Sequence, residues 1–260
     1  MVEMKLISLN TWGGRVFEDL MQFFEKEKDS IDVFCLQEVL EPQAGEADEE
    51  TKTAIKEYQK SGRKQMWNLY LEISNHLNKF DGFISEPYSS GKERLATFIR
   101  KDIDAKVEVF PVYKQLPLTL YGRDFWVGCI MQHIAASTNG KRYDIANVHG
   151  LWQGVSKEDT PERIKQSNAI NGLLSKFGDS RVLCGDFNLN PDTESVKILE
   201  KSMRNLIREN KITATRSSLT PERKGRFADY VFVSGRIKVR NFKALNELVS
   251  DHLPLYLEFE

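Results

Sequence analysis

The sequence predicts an α/β domain with two mixed, largely antiparallel sheets and helices outside them. Three observations carry that expectation. The chain opens strand–helix–strand, its middle holds four consecutive strand patterns, and its last part returns to helix and then strands. No repeat, low-complexity tract or linker divides the 260 residues, so a single domain over residues 1–260 is expected.

Met4–Asn10 reads as a strand, and Val16–Lys28 as a helix from Val16, Leu20, Phe23 and Phe24 at helical spacing. Ile31–Gln37 is a short apolar strand followed by Glu38, at a length that suits a parallel crossover. Residues 40–65 are polar and acidic without a core face, which predicts a surface insertion. Met66–Leu77 forms a helix through Leu69, Ile73 and Leu77. Arg94–Arg100, Lys106–Tyr113, Phe125–Ala136 and Lys141–Val148 are strands, with turns at Tyr121-Gly122-Arg123-Asp124 and Asn139-Gly140. Asn-Gly between two strand patterns is a hairpin signal. Pro161–Phe177 is helical, capped by Thr160, with Ile164, Ile170, Leu173 and Leu174 as its buried stripe. Arg181–Cys184 is a strand and a short helix starts at Glu194. Ala228–Val233, Ile237–Phe242 and Leu255–Phe259 close the chain as strands.

Hydrophobic residues at 40% and charged residues at 29% describe an ordinary globular chain, with no apolar run that could span a bilayer. The start of the chain reads as a strand rather than a signal peptide. Cys35, Cys129 and Cys184 lie singly in apolar runs, matching neither a zinc pattern nor a disulfide framework. Buried thiols in a cytoplasmic, monomeric protein are expected. The net charge of −1 conceals two uneven stretches. Glu38 to Gln59 holds seven acids against Lys52 and Lys56, and Lys201 to Arg226 holds eight basic residues against Glu209 and Glu222. Solvated surface explains the first, and an anionic ligand is a rival explanation for the second.

Chemistry gathers at predicted strand ends. Gly185-Asp186-Phe187-Asn188 follows an apolar strand, and alternation places Asp186 and Asn188 on one face with Phe187 in the packing. Asn10, Glu38, His149, Asp229 and the Asp251-His252 pair stand at other strand ends. Singly, each is an ordinary turn or strand terminus; together they describe one site at one edge of a sandwich. Few carboxylates, an amide and no cysteine ligand suit a hard cation such as Mg²⁺, with Mn²⁺ as a substitute. Two histidines add donors for an anion. Neither a Ser-His-Asp order nor a glycine-rich phosphate loop competes with this set. Phosphoester hydrolysis by activated water is the chemistry that uses all of it.

The series SLNTW, CLQEV, ANVHG, CGDFN, ADYVFVS and SDHLP resembles the endonuclease/exonuclease/phosphatase superfamily across nearly the whole chain. The resemblance implies a four-layer α/β/β/α sandwich of the DNase I-like type with the site at one edge of both sheets. It implies Glu38 as the principal Mg²⁺ ligand, Asn10 supporting metal or phosphate, and Asp251 in or beside the metal shell. Asp186 would orient or deprotonate water and Asn188 would position the phosphate. His149 and His252 would donate to phosphate oxygens, with Asp229 orienting His252. Val39-Leu40 after Glu38, and Gly150-Leu151-Trp152-Gln153-Gly154 after His149, depart from the abasic-site endonuclease pattern. A phosphodiester in DNA or RNA is the first expectation for substrate, contacted by Trp152, Arg216, Arg223, Lys224 and Arg226. A phosphatase or phosphodiesterase acting on small or lipid-derived phosphates is the alternative, and a non-catalytic binding module on the same fold is the third.

Overall fold

Apolar residues on both faces of the central strands force this chain into layers. In the computed structural model, residues 3–41, 65–120, 123–154, 156–220 and 225–260 are described. Strand β1 (Met4–Asn10) turns Ile7 and Leu9 outward and Met4 and Leu6 inward. Strand β2 (Val33–Val39) divides Phe34 and Leu36 from Val33 and Cys35 in the same way. The outward residues are covered by helices α1 (Phe17–Glu27) and α2 (Leu69–His76) through Leu20, Phe24, Leu69 and Ile73. The inward ones meet the second sheet.

That sheet contains β5 (Asp104–Leu120), β6 (Arg123–Thr138), β7 (Lys141–His149), β8 (Arg181–Asp186), β9 (Arg204–Asn205) and β10 (Asp229–Val233). Helices α3 (Pro161–Leu174) and α4 (Glu194–Glu200) lie on its outer face, with α5 (Leu206–Glu209) beside β9 and β10. The first sheet is completed by β3 (Phe80–Ile84), β4 (Arg94–Arg100), β11 (Val239–Ala244) and β12 (Leu255–Phe259). Strand orders are β11-β12-β1-β2-β4-β3 and β5-β6-β7-β8-β10-β9. Each sheet has one parallel pair at its centre, β1–β2 and β7–β8, and the other pairs are antiparallel. Both parallel pairs end at the same edge of the sandwich.

Amide side chains tie the two sheets together below that edge. Gln37 Nε2 donates to Asn147 Oδ1 at 2.7 Å, and Asn147 Nδ2 donates to Leu36 O at 3.1 Å. Thr97 Oγ1 donates to Gln132 Oε1 at 2.6 Å, and Gln132 Nε2 to Phe83 O at 3.1 Å. These groups are buried, so each would cost about 1–3 kcal/mol if left unpaired.

Most expected elements are present, with informative differences. β3 carries too weak an alternation to be read from the sequence. β5 and β6 run beyond the expected Lys106–Tyr113 and Phe125–Ala136, since β6 pairs with β7 only over Met131–Thr138. The remainder of β6 pairs with β5 on one side and bridges through Val127 to Ser89 on the other. Pro111 and Pro117 are tolerated in β5 because it is an edge strand. Of the turn expected there, Tyr121 and Gly122 lie outside the described residues, and Arg123 and Asp124 already belong to β6. Asn139-Gly140 forms its turn with both φ angles positive, +49° and +74°. The buried face of α3 keeps Ile170 and Leu174 of the expected stripe, with Leu173 packed at its margin, but adds polar Arg163, Gln166 and Ser167 and leaves Ile164 only half-buried. Most of the acidic insertion, residues 42–64, lies outside the described residues.

Gly185 is fixed by packing. Its φ is +137°, and a Cβ there would sit 1.9 Å from the Val148 carbonyl oxygen. Gly185→Ala should destabilise the protein by at least ~3 kcal/mol, through overpacking against backbone and an unfavourable φ. A urea midpoint equal to the wild type would refute this reading of the β7–β8 contact.

Candidate active site

Six strands and the turns beside them deliver side chains to the shared edge. Asn10 ends β1, His149 ends β7 and Asp186 ends β8. Asp229 begins β10 directly opposite Asp186 in register, and Asp251 and His252 precede β12. Glu38 lies inside β2 rather than after it, at a β-bulge between Leu36 and Val39 with φ +54°. The bulge turns Glu38 toward the site. Asn188 also has φ +54° and lies past the end of β8, so strand alternation does not place it. A left-handed turn does: Asn188 N donates to Asp186 Oδ1 at 2.8 Å, and its Nδ2 to Gly150 O at 3.2 Å.

The Asn10 amide draws the carboxylates together. Its Nδ2 donates to Glu38 Oε1 and Asp186 Oδ2, each at 3.0 Å, while its Oδ1 accepts from Trp12 N at 2.9 Å. Asn10 therefore organises the acids with its NH₂ group and turns its oxygen away from them. His149 Nε2 stands 3.5 Å from Glu38 Oε1 and 3.8 Å from Asp186 Oδ2. That nitrogen is buried and has no hydrogen-bond partner among the described residues. On the other flank, His252 Nδ1 meets both Asp229 oxygens at 2.9 Å, leaving Nε2 3.6 Å from Asp186 Oδ2 and 3.6 Å from Asp251 Oδ1.

Opposite charges at these separations are worth about 4 kcal/mol each at an effective dielectric of 20. Burial alone would raise the Glu38 carboxyl, yet the adjacent His149 imidazole, with Asn10 and His252, brings it down to about 2. Burial of Asp186 is likewise outweighed by His252, His149, Lys157 and Arg216, which hold it well below the usual carboxylate range. Burial opposes the charged form of His252, but Asp229, Asp186 and Asp251 raise it above its ordinary value. His149 is raised too: burial is overcome by the neighbouring Glu38 carboxylate and the charges of Asp186 and Glu93.

Oxygens of Glu38 and Asp186 and a nitrogen of His149 lie within 4.8 Å of one another, and Asp186, Asp229 and His252 form a second such group. The converging carboxylate oxygens of Glu38 and Asp186 fit a hard divalent cation. Asp251 stands beside this group, with one oxygen taken by Arg216 Nη2 at 2.6 Å.

The expected substrate contacts divide. Trp152 is 46% exposed three residues after His149, and Arg226 is exposed. Arg223 and Lys224 lie outside the described residues. Arg216 is only 8% exposed and is bonded to Asp251 and to Thr220 Oγ1, so it braces the site from below instead of lining its rim. Its neighbour Thr215 accepts from Ala228 N and Asp229 N at 3.0 and 3.1 Å. Further residues at the site carry no sequence signal. Tyr88 stacks on His149 with ring centroids 4.8 Å apart, and its hydroxyl accepts from Glu38 N at 3.2 Å. Lys157 donates to Phe227 O at 2.8 Å; burial pulls its ammonium down to about 8, partly opposed by Asp186, Asp229 and Asp251.

Residues 7–252 match the Endonuclease/Exonuclease/phosphatase family. The chain belongs to this family. As a member of the endonuclease/exonuclease/phosphatase family it is a phosphoric ester hydrolase. Its architecture agrees with solved structures at low identity. An endonuclease/exonuclease/phosphatase from Bacteroides vulgatus aligns with TM-score 0.68 and 16% identity, covering 100% of this chain and 99% of that one. A mannosyl-6-phosphatase from Bacteroides thetaiotaomicron aligns at 0.66 and 15%, covering 99% of both chains. The human Nocturnin catalytic domain, with bound sulfate, aligns at 0.60 and 16%, covering 99% of this chain and 93% of that one. No curated protein sequence matches the chain. Among the described residues no helix is long and apolar enough to cross a membrane.

Proposed function

We propose that this protein is a Mg²⁺-dependent phosphoesterase that cleaves phosphodiesters, with nucleic acid as first substrate, and that Mn²⁺ replaces Mg²⁺. The observation that carries the reading is the convergence of Glu38 and Asp186 on one Asn10 amide, beside the unpartnered His149 Nε2. Glu38 and Asp186 would hold the cation. When bound, it neutralises charge on the phosphate and makes water more acidic. Asp186 accepts a hydrogen bond from the attacking water. A carboxylate held so low is a weak base, so orientation is its larger contribution. His252, locked by Asp229, presents Nε2 to a non-bridging oxygen, and His149 donates from the opposite flank. Asn188 positions the phosphate.

Exposed Trp152, three residues after His149, supports the nucleic-acid reading, because an exposed aromatic face offers stacking to any base. The small or lipid-derived phosphate reading has its own support. Arg216 is buried against Asp251, and apolar Leu219 and Leu248 are 39% and 47% exposed near Asp251. A Mg²⁺-supplemented panel of single- and double-stranded DNA, RNA, and small phosphomonoesters and diesters separates the readings. Turnover of none of them would reject both.

Glu38→Ala should raise the Mg²⁺ concentration for half-maximal activity at least about tenfold, equivalent to ~1.4 kcal/mol of lost binding. High Mg²⁺ or Mn²⁺ should restore part of the activity. Wild-type metal affinity in this variant would remove Glu38 from the ligand set.

A further inference from the structure

Lys157 lies between β7 and α3, in a loop built to hold it still. The buried guanidinium of Arg163 donates through Nη1 to Ser156 O and Glu158 O, each at 2.6 Å, the carbonyls on either side of Lys157. Asn190 N donates to the Lys157 carbonyl at 2.9 Å, and Asn190 Nδ2 to Glu158 Oε1 at 2.6 Å. The loop is thereby fastened to α3 on one side and to the chain just beyond Asn188 on the other. A buried arginine that clamps two backbone carbonyls fixes the one side chain between them.

The ammonium so placed donates to Phe227 O, two residues before Asp229. An ammonium has three donors, and the remainder have no partner among the described residues. No carboxylate of the described residues lies within ion-pair distance, yet the charges of Asp186, Asp229 and Asp251 all act on Lys157. A half-buried cation whose ammonium meets one backbone carbonyl and no carboxylate among the described residues is poorly explained as a structural ion pair. It is well explained as one wall of an anion site.

We propose that Lys157 is a phosphate-binding residue of the catalytic site, donating to a non-bridging oxygen of the substrate phosphate from the Asp229 side. This rests on the phosphoesterase reading above and adds a positive charge to the two imidazoles. The charge stays on the protein whichever phosphate ester is bound, so the role is the same for a diester and a monoester.

The test titrates inorganic phosphate calorimetrically into the wild type and Lys157→Met, with and without Mg²⁺, beside steady-state kinetics on an activated phosphodiester. Lys157→Met keeps the apolar stem and removes the charge. Phosphate affinity should fall at least ~10-fold and kcat/KM about 10²-fold, as for loss of one preorganised donor. The Mg²⁺ requirement should not rise, because a positive charge near Asp186 has been removed. Lys157→Arg should recover part of the phosphate affinity. Phosphate affinity in Lys157→Met within about twofold of wild type overturns the proposal, whatever the activity. So does a variant whose loss tracks a lower melting temperature and weaker Mg²⁺ binding at unchanged phosphate affinity, which marks a loop tether. If Lys157→Met does not fold, Lys157→Gln and Lys157→Arg carry the same comparison. A wild type that binds phosphate through Lys157 but turns over no phosphoester sinks the enzymatic reading alone. An active wild type matched by Lys157→Met sinks only this proposal.

Discussion

Asp186→Asn should reduce turnover by at least ~10²-fold while the protein stays folded. The substitution is isosteric, and the Asn188 N–H can still be met by the amide oxygen, so the turn after β8 survives. The amide NH₂ then faces the Asn10 NH₂, placing donor against donor where donor met acceptor at 3.0 Å. The lost charge also leaves His149 and His252 without an anion that holds them in their protonated forms. Metal affinity, water orientation and imidazole charge thus fail together. The check is kcat at saturating Mg²⁺, with thermal unfolding on the same sample. Wild-type kcat would take Asp186 out of the chemistry.

His252 and Asp229 should act as a unit. His252→Ala removes a preorganised donor, for which ~10²–10³-fold in kcat is typical. Asp229→Asn keeps the shape but cannot favour the imidazolium or fix its tautomer, so Nε2 loses both charge and aim. Most of the His252 loss should therefore appear in Asp229→Asn, and the double variant should be little worse than either single one. Independent residues would multiply, giving ~10⁴-fold or more for the pair. Multiplication of the two effects would detach Asp229 from His252. Circular dichroism must accompany the cycle, since the Asp229 backbone is also held by Thr215.

Strand ends were readable because the largely apolar runs that precede them break off clearly: Leu6 to Leu9 at Asn10, Phe34 to Leu36 at Gln37-Glu38, and Val182 to Cys184 at Gly185-Asp186. Those runs placed Asn10, Glu38 and Asp186 at one edge before any coordinates. The details beyond the run were not readable. A bulge depends on partner-strand register, so the left-handed turn at Glu38 leaves no mark in its own segment. Periodicity assigns Arg163 and Gln166 to solvent, but carbonyls of the adjoining loop and Leu151 N supply their partners in the interior. Arg216 looked like rim charge for the same reason, its partner Asp251 being 35 residues away. Tyr88 and Lys157 stand in loops with no period, where only the closed fold gives them neighbours.

The amide belt beneath the site sets a condition on recombination between relatives. Glu38 and Asn10 belong to one sheet and His149 and Asp186 to the other, and Gln37 with Asn147 sits one and two residues below them in the chain. Exchanging a whole sheet for a homologous one would preserve each half of the catalytic set and still misalign them unless this amide pair is carried across. Gln37 and Asn147 touch no substrate, yet they keep the two halves in step, as a dowel keeps two castings true.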